Sequence, residues 1–119
     1  MPWEETIGYS RAVVDGDRVF VSGTAPVMSE GADPPSDAYG QARRCLEIVL
    51  AALAEAGAGP EDVVRTRMYL TRADDIDDVG RAHDEVFGDV RPATTGVVVA
   101  ALLDPRWLVE IEADAIIRR

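Results

Sequence analysis

The sequence predicts an α+β domain of order β-β-α-β-α-β-β, with two helices packed on one face of a mixed sheet. Three observations predict it. Stretches of alternating or continuous apolar residues bracket two stretches of helical periodicity. Asp15-Gly16 separates the first two apolar stretches, and Asp-Gly is a strong hairpin signal. The length of 119 residues, with 47% hydrophobic and 29% charged, suits one folded domain over residues 1–119 rather than a disordered chain.

Residues 6–14 and 18–24 are rich in Val, Ile, Tyr and Phe and read as the two arms of the hairpin. A two-residue loop at Asp15-Gly16 sets Tyr9 opposite Ser22 on one sheet face. Residues 25–36 hold Pro26, Gly31, Pro34 and Pro35 and read as a loop. Ser36 or Asp37 caps a helix over 38–56, whose stripe is Ala42, Leu46, Val49, Leu53 and Ala56. Gly57, Gly59 and Pro60 stop it. Residues 63–71 read as a strand, with Val64, Thr66, Met68 and Leu70 on one face and Arg65, Arg67 and Tyr69 on the other. Asp74 and Asp75 open a second helix, where Asp77 and Asp78 answer the positive end of the macrodipole. Its stripe is Ile76, Val79, His83, Val86 and Phe87, and Gly88 ends it. Residues 94–103 form a continuous valine-rich run, the pattern of a well-buried strand. After the turn at Asp104-Pro105-Arg106, residues 108–117 alternate cleanly. Val109, Ile111, Ala113, Ala115 and Ile117 face one way; Glu110, Glu112 and Asp114 face the other. The sheet face away from the helices needs a cover where it is apolar, and a second copy of the chain is the natural one.

Charge and composition exclude several classes of function. Twenty-two acids face 12 basic residues, all arginine, for a net charge of −10. A field of that sign repels phosphate backbones and anionic membranes, so no nucleic-acid partner is expected. One cysteine and one histidine give neither an intramolecular disulfide nor a metal cluster, so no metal is expected. Gly57-Ala58-Gly59 follows a helix instead of opening one and cannot cradle a phosphate; no cofactor is expected. No apolar run reaches the ~18 residues of a membrane span. Met1-Pro2-Trp3-Glu4-Glu5 lacks a signal pattern, and a cytoplasmic address follows by default.

Few residues are placed to carry chemistry. His83 is a general base by type, yet it falls on an apolar stripe and reads as a core or interface histidine. Cys45 lies inside the first helix and reads as a packed side chain. Glu110, Glu112 and Asp114 read either as a solvated strand face or as a row with one carboxylate turned into a cleft to hold water. Tyr9 and Ser22 supply two neighbouring hydroxyls that can orient a polar ligand but, without a base, make no nucleophile. Arg65, Arg67, Arg91 and Arg106 are the candidates for a bidentate carboxylate clamp.

In order and spacing, these segments resemble the RidA/YjgF family, also labelled L-PSP endoribonuclease or reactive-intermediate deaminase. The blocks are Ile7-Gly8-Tyr9-Ser10, Val21-Ser22-Gly23 followed by Pro26, Pro60-Glu61-Asp62-Val63-Val64, Arg91-Pro92-Ala93-Thr94 and Val109-Glu110-Ile111-Glu112-Ala113. The resemblance implies a chorismate-mutase-like fold and a homotrimer with a ligand cleft at each subunit boundary. Active members hydrolyse enamines and imines to 2-oxo acids and ammonia: an arginine clamps the substrate carboxylate while a glutamate positions water. Matched residue by residue, Tyr9, Ser22 and Gly23 line the cleft and Glu110 is the water-positioning glutamate.

The chain departs from the family where active members carry Pro-Ala-Arg-Ser. Here the residues are Pro92-Ala93-Thr94-Thr95, and Gly96 stands where many members have cysteine. Threonine cannot replace a guanidinium fork, so the resemblance implies a pocket opened at Thr94 and Gly96 and without that anchor. The standard 2-imino acid activity is therefore not carried over with the family. Arg106 or Arg67 of a neighbouring copy, or Arg91, are the possible substitutes. The expectation is a small polar metabolite bound in an intersubunit cleft, with hydrolysis of an enamine or imine. A metabolite-binding or regulatory trimer is the alternative, and a ribonuclease stands behind both.

Overall fold

The computed structural model describes residues 3–118; residues 1, 2 and 119, which the sequence reading places in the same domain, lie outside the described residues. Five strands and two helices follow the expected order. They are β1 (Ala12–Asp15), β2 (Arg18–Thr24), α1 (Ala38–Glu55), β3 (Val63–Leu70), α2 (Ile76–Phe87), β4 (Ala93–Val98) and β5 (Val109–Ile116). The sheet runs β1-β2-β5-β3-β4, with β3 and β4 parallel and all other neighbours antiparallel.

The hairpin turns one residue later than the Asp-Gly reading. Asp15 pairs with Arg18 and Ala12 with Val21, so the loop is Gly16-Asp17. Gly16 takes φ +61, while Asp17 is not in the left-handed region. A two-residue loop with glycine first fits a II′ turn, which matches the twist of the arms. Ser22 then stands level with Arg11, whose carbonyl accepts the Ser22 N–H at 3.0 Å, and Tyr9 lies two residues beyond.

The core lies between the helices and one sheet face. Asp37 caps α1 by accepting from Gly40 N at 3.1 Å. Ala42, Leu46, Val49 and Leu53 of α1 and Val79, Ala82 and Phe87 of α2 are buried against Val19, Val21, Met68, Leu70 and the odd-numbered residues of β5. Each large apolar side chain so buried stabilises the fold by roughly 1.5–3 kcal/mol. On β3 an irregularity between Val63 and Arg65 shifts the inward set, so Val63 is buried in place of Val64. On α2, Ile76 lies at the helix start and stays 43% exposed instead of joining the core.

The run at 94–103 behaves differently from its pattern. Only Ala93–Val98 forms a strand, and every residue of it is exposed. β4 is the sheet edge, so its apolar side chains have a neighbour on one side only. Val98 is 55% exposed, and Leu103, in the loop beyond, is 75% exposed. The run reads as buried because hydrophobicity reports a demand for cover, not which molecule supplies it. On the sheet face away from the helices, Phe20 and Ile116 are likewise exposed beside the charged rows of β3 and β5. Among the described residues no helix is long and apolar enough to cross a membrane.

Candidate functional site

A cavity of about 460 Å³ opens at the end of β2 and the start of β5. It exists because β2 leaves its ladder there. Val21 pairs with Ala113 and Thr24 with Ile111, so Ser22 and Gly23 bulge against the single residue Glu112. The bulge is held by Arg11, whose Nη2 donates to the Ser22 carbonyl at 2.8 Å and the Gly23 carbonyl at 2.9 Å. The Arg11 Nε is buried without a partner. The walls are completed by the turn at Glu4–Gly8, the loop at Ala25 and Val27, and the segment from Leu103 to Trp107. Trp3 and Trp107, distant in sequence, meet edge to face with ring centroids 6.2 Å apart.

Tyr9, Ser22, Gly23 and Glu110 all line this cavity. Glu110 is half-buried, and its side chain makes no hydrogen bond or ion pair among those of the described residues. Burial, then repulsion from Glu112, pushes its carboxyl above the usual carboxylate range, and Arg11 opposes both. A Cβ on Gly23 would overlap the Glu110 carboxylate, so glycine is what lets the acid lie against the β2 backbone. The Ser22 hydroxyl donates to the Ser10 carbonyl at 2.6 Å and therefore faces the cavity as an acceptor. Glu112 differs from Glu110: it accepts from Arg67 at 3.0 Å and from the Tyr69 hydroxyl at 3.2 Å.

Thr94 and Gly96 are not brought to this cavity within one chain. They lie on β4, two strands from β5, and on the helix side of the sheet, whereas Glu110 is on the other side. The Thr94 hydroxyl donates to the Pro92 carbonyl at 3.1 Å and meets the buried Thr66 hydroxyl at 2.9 Å; Thr66 in turn meets His83 Nε2 at 2.8 Å. His83 is thus tied to the sheet edge, and burial lowers its pKa. A Cβ on Gly96 would make ordinary contact with Ile76, so packing does not require glycine there. Cys45 is wholly buried, and burial pushes its thiol far up.

Within one chain none of Arg67, Arg91 and Arg106 lines the cavity. Arg67 is bound to Glu112 and Asp114, Arg106 to Asp33 and Asp104, and Arg91 borders one cavity beside α2 and another at the start of β3. The cation that does line it, Arg11, is not among the arginines the sequence singles out; the one signal for it is its place two residues from Tyr9, which puts both on one side of an extended chain.

The family model described as Endoribonuclease L-PSP matches residues 4–117. The chain belongs to this family. The YjgF/RidA relatives agree with that assignment in sequence and in fold. SCO2049 of Streptomyces coelicolor is 45% identical over 114 residues, covering 96% of this chain and 85% of that protein. Rv2704 of Mycobacterium tuberculosis, described as a member of the YjgF/YER057c/UK114 family, has a crystal structure that matches with a TM-score of 0.90 at 43% identity. The match covers 98% of this chain and 93% of that one. TdcF of Escherichia coli, whose structure was determined with bound serine, matches with a TM-score of 0.84 at 31% identity, covering 91% and 87%. Its full name places it with the reactive intermediate deaminases. The sheet order and the two helices are those of this family's chorismate-mutase-like α+β fold.

Proposed function

We propose that the cavity beside Glu110 binds a small polar metabolite and hydrolyses an imine or enamine to a carbonyl compound and ammonia. The observation that carries this reading is Glu110 itself: half-buried, unpaired, seated on Gly23 and facing a cavity of about 460 Å³. Its raised pKa suits a group that takes a proton from water and returns it. In the proposed reaction Glu110 accepts a proton as water adds to the imine carbon. Glu110 returns that proton to the nitrogen, and the C–N bond of the resulting carbinolamine breaks. The nitrogen leaves as ammonia, while the hydroxyl gives up its proton through Glu110 and stays as the carbonyl. Tyr9 and Ser22 orient the ligand, and orientation supplies much of the rate because an imine carbon is already electrophilic.

The same proposal includes assembly. The exposed apolar residues Phe20, Ile116, Val97 and Val98 favour assembly of one-domain chains (residues 1–119), and the family resemblance makes it a homotrimer in which the β4 edge carrying Thr94 and Gly96 meets the cavity of a neighbouring copy. A cytoplasmic address goes with it. Light scattering on a sizing column tests the assembly; a monomer would overturn it.

The family's ribonuclease label finds little support here, because a net charge of −10 repels RNA. The test of hydrolysis uses two imines of the same length. Butan-1-imine is made in situ by a flavin amine oxidase from butylamine, and 2-iminobutanoate by threonine dehydratase, each followed against competing semicarbazide. Acceleration of either imine that is lost in Glu110→Gln supports the reading. No acceleration of either, or acceleration retained in Glu110→Gln, overturns it and leaves a ligand-binding protein without turnover.

A further inference from the structure

We infer that the cavity selects a cationic amine or iminium ligand that carries no carboxylate. This rests on the reading of the cavity as the ligand site and adds a charge to its ligand. The inference comes from which polar groups remain available there. Ser22 has spent its proton on the Ser10 carbonyl and offers only lone pairs. Glu110 offers a carboxylate with no protein partner. Arg11, the cation in the wall, has turned inward: Nη2 is divided between two carbonyl oxygens and Nε is buried. It makes no ion pair with Glu110 among those of the described residues and leaves no bidentate fork for an incoming carboxylate. The site is therefore rich in acceptors, and its one cation, with Nη2 taken and Nε buried, keeps only Nη1 and presents no fork, unlike a carboxylate pocket.

Two further features favour a cation. Trp3, Tyr9 and Trp107 line the same cavity, and aromatic faces attract ammonium and iminium groups. The net charge of −10 draws cations and repels anions before contact. An iminium is also the form of an imine most open to attack by water, so the charge that the cavity favours is the charge that helps the reaction.

The chain contains two tryptophans, Trp3 and Trp107, and both line the cavity, so intrinsic fluorescence reports on this site. The trimer or whatever assembly the purified protein forms is titrated with butylammonium, butyrate and 2-aminobutyrate at constant ionic strength. Butylammonium is expected to bind at least about tenfold more tightly than the other two, and Glu110→Gln to weaken it by about tenfold while butyrate, no longer repelled, binds no more weakly than before. Butyrate or 2-aminobutyrate binding as tightly as butylammonium, or a Glu110→Gln protein that binds butylammonium unchanged, overturns the inference. The kinetic arm separates this inference from the hydrolytic reading. Tight butylammonium binding with no imine turnover upholds charge selection and sinks hydrolysis. Turnover of 2-iminobutanoate as fast as butan-1-imine upholds hydrolysis and sinks charge selection.

Discussion

Gly23→Ala separates stability from function at a single methyl group. The φ of Gly23 is outside the left-handed region, so alanine meets no backbone strain there. The added Cβ instead overlaps the end of the Glu110 side chain, with Cδ only 3.3 Å away. That side chain is long, unpaired and half-buried, so it can swing aside. Holding it away from its preferred rotamer costs about 0.5–1.5 kcal/mol. Replacing glycine where the backbone allows it returns roughly 0.4–1 kcal/mol by restricting the unfolded chain. The two nearly cancel, and the melting temperature is expected to move by less than about 5 °C. Turnover of butan-1-imine, by contrast, is expected to fall ~100-fold, because a displaced carboxylate no longer addresses the water. Gly80→Ala is the control: a Cβ there meets nothing within 4 Å, and a helical glycine gives way to a better helix former worth up to about 1 kcal/mol. Full turnover in Gly23→Ala would refute the claim that the seat of Glu110 matters. A loss of more than about 2 kcal/mol would show that the backbone, not the side chain, absorbs the clash.

Other outcomes follow from the same contacts. Because the folded chain holds the Glu110 proton more tightly than the unfolded chain, ionising Glu110 costs stability as pH rises through and above the carboxylate range. Glu110→Gln should therefore raise the melting temperature at pH 7, and the gain should vanish under acid conditions. Thr94 donates to Pro92, so Thr66 must donate to Thr94 and accept from His83; nitrogen NMR should find neutral His83 protonated on Nε2 and bare on Nδ1, and a proton on Nδ1 would break this chain. Thr66→Val should cost roughly 1–3 kcal/mol in urea unfolding, since Thr66 is fully buried between two polar partners. Arg11→Met removes the donor that holds the bulge and should cost roughly 1.5–3 kcal/mol, and Arg11→Lys should recover only part, because an ammonium lacks the planar fork.

The sequence by itself determined the order of the elements and which residues of the candidate site share a neighbourhood. Period two places Glu110 on the face opposite Val109 and Ile111 whatever the strand pairs with, and the hairpin keeps Tyr9 near Ser22 even when its turn slips by one residue. The family was legible for the same reason: its blocks sit where the backbone must turn, bulge or expose an acid. Tertiary structure decided the rest. It put β4 at the edge, so that Thr94 and Gly96 face the helix side, away from Glu110. It made Gly23 necessary through a carboxylate 87 positions along the chain, and it brought Trp3 against Trp107. It also turned Arg11 from a surface charge into the brace of the cavity. Alternation and turn chemistry act between near neighbours and are written in the sequence. Strand order, bulge register and loop packing depend on contacts between distant segments, whose partners are chosen only when the whole chain competes for the same core.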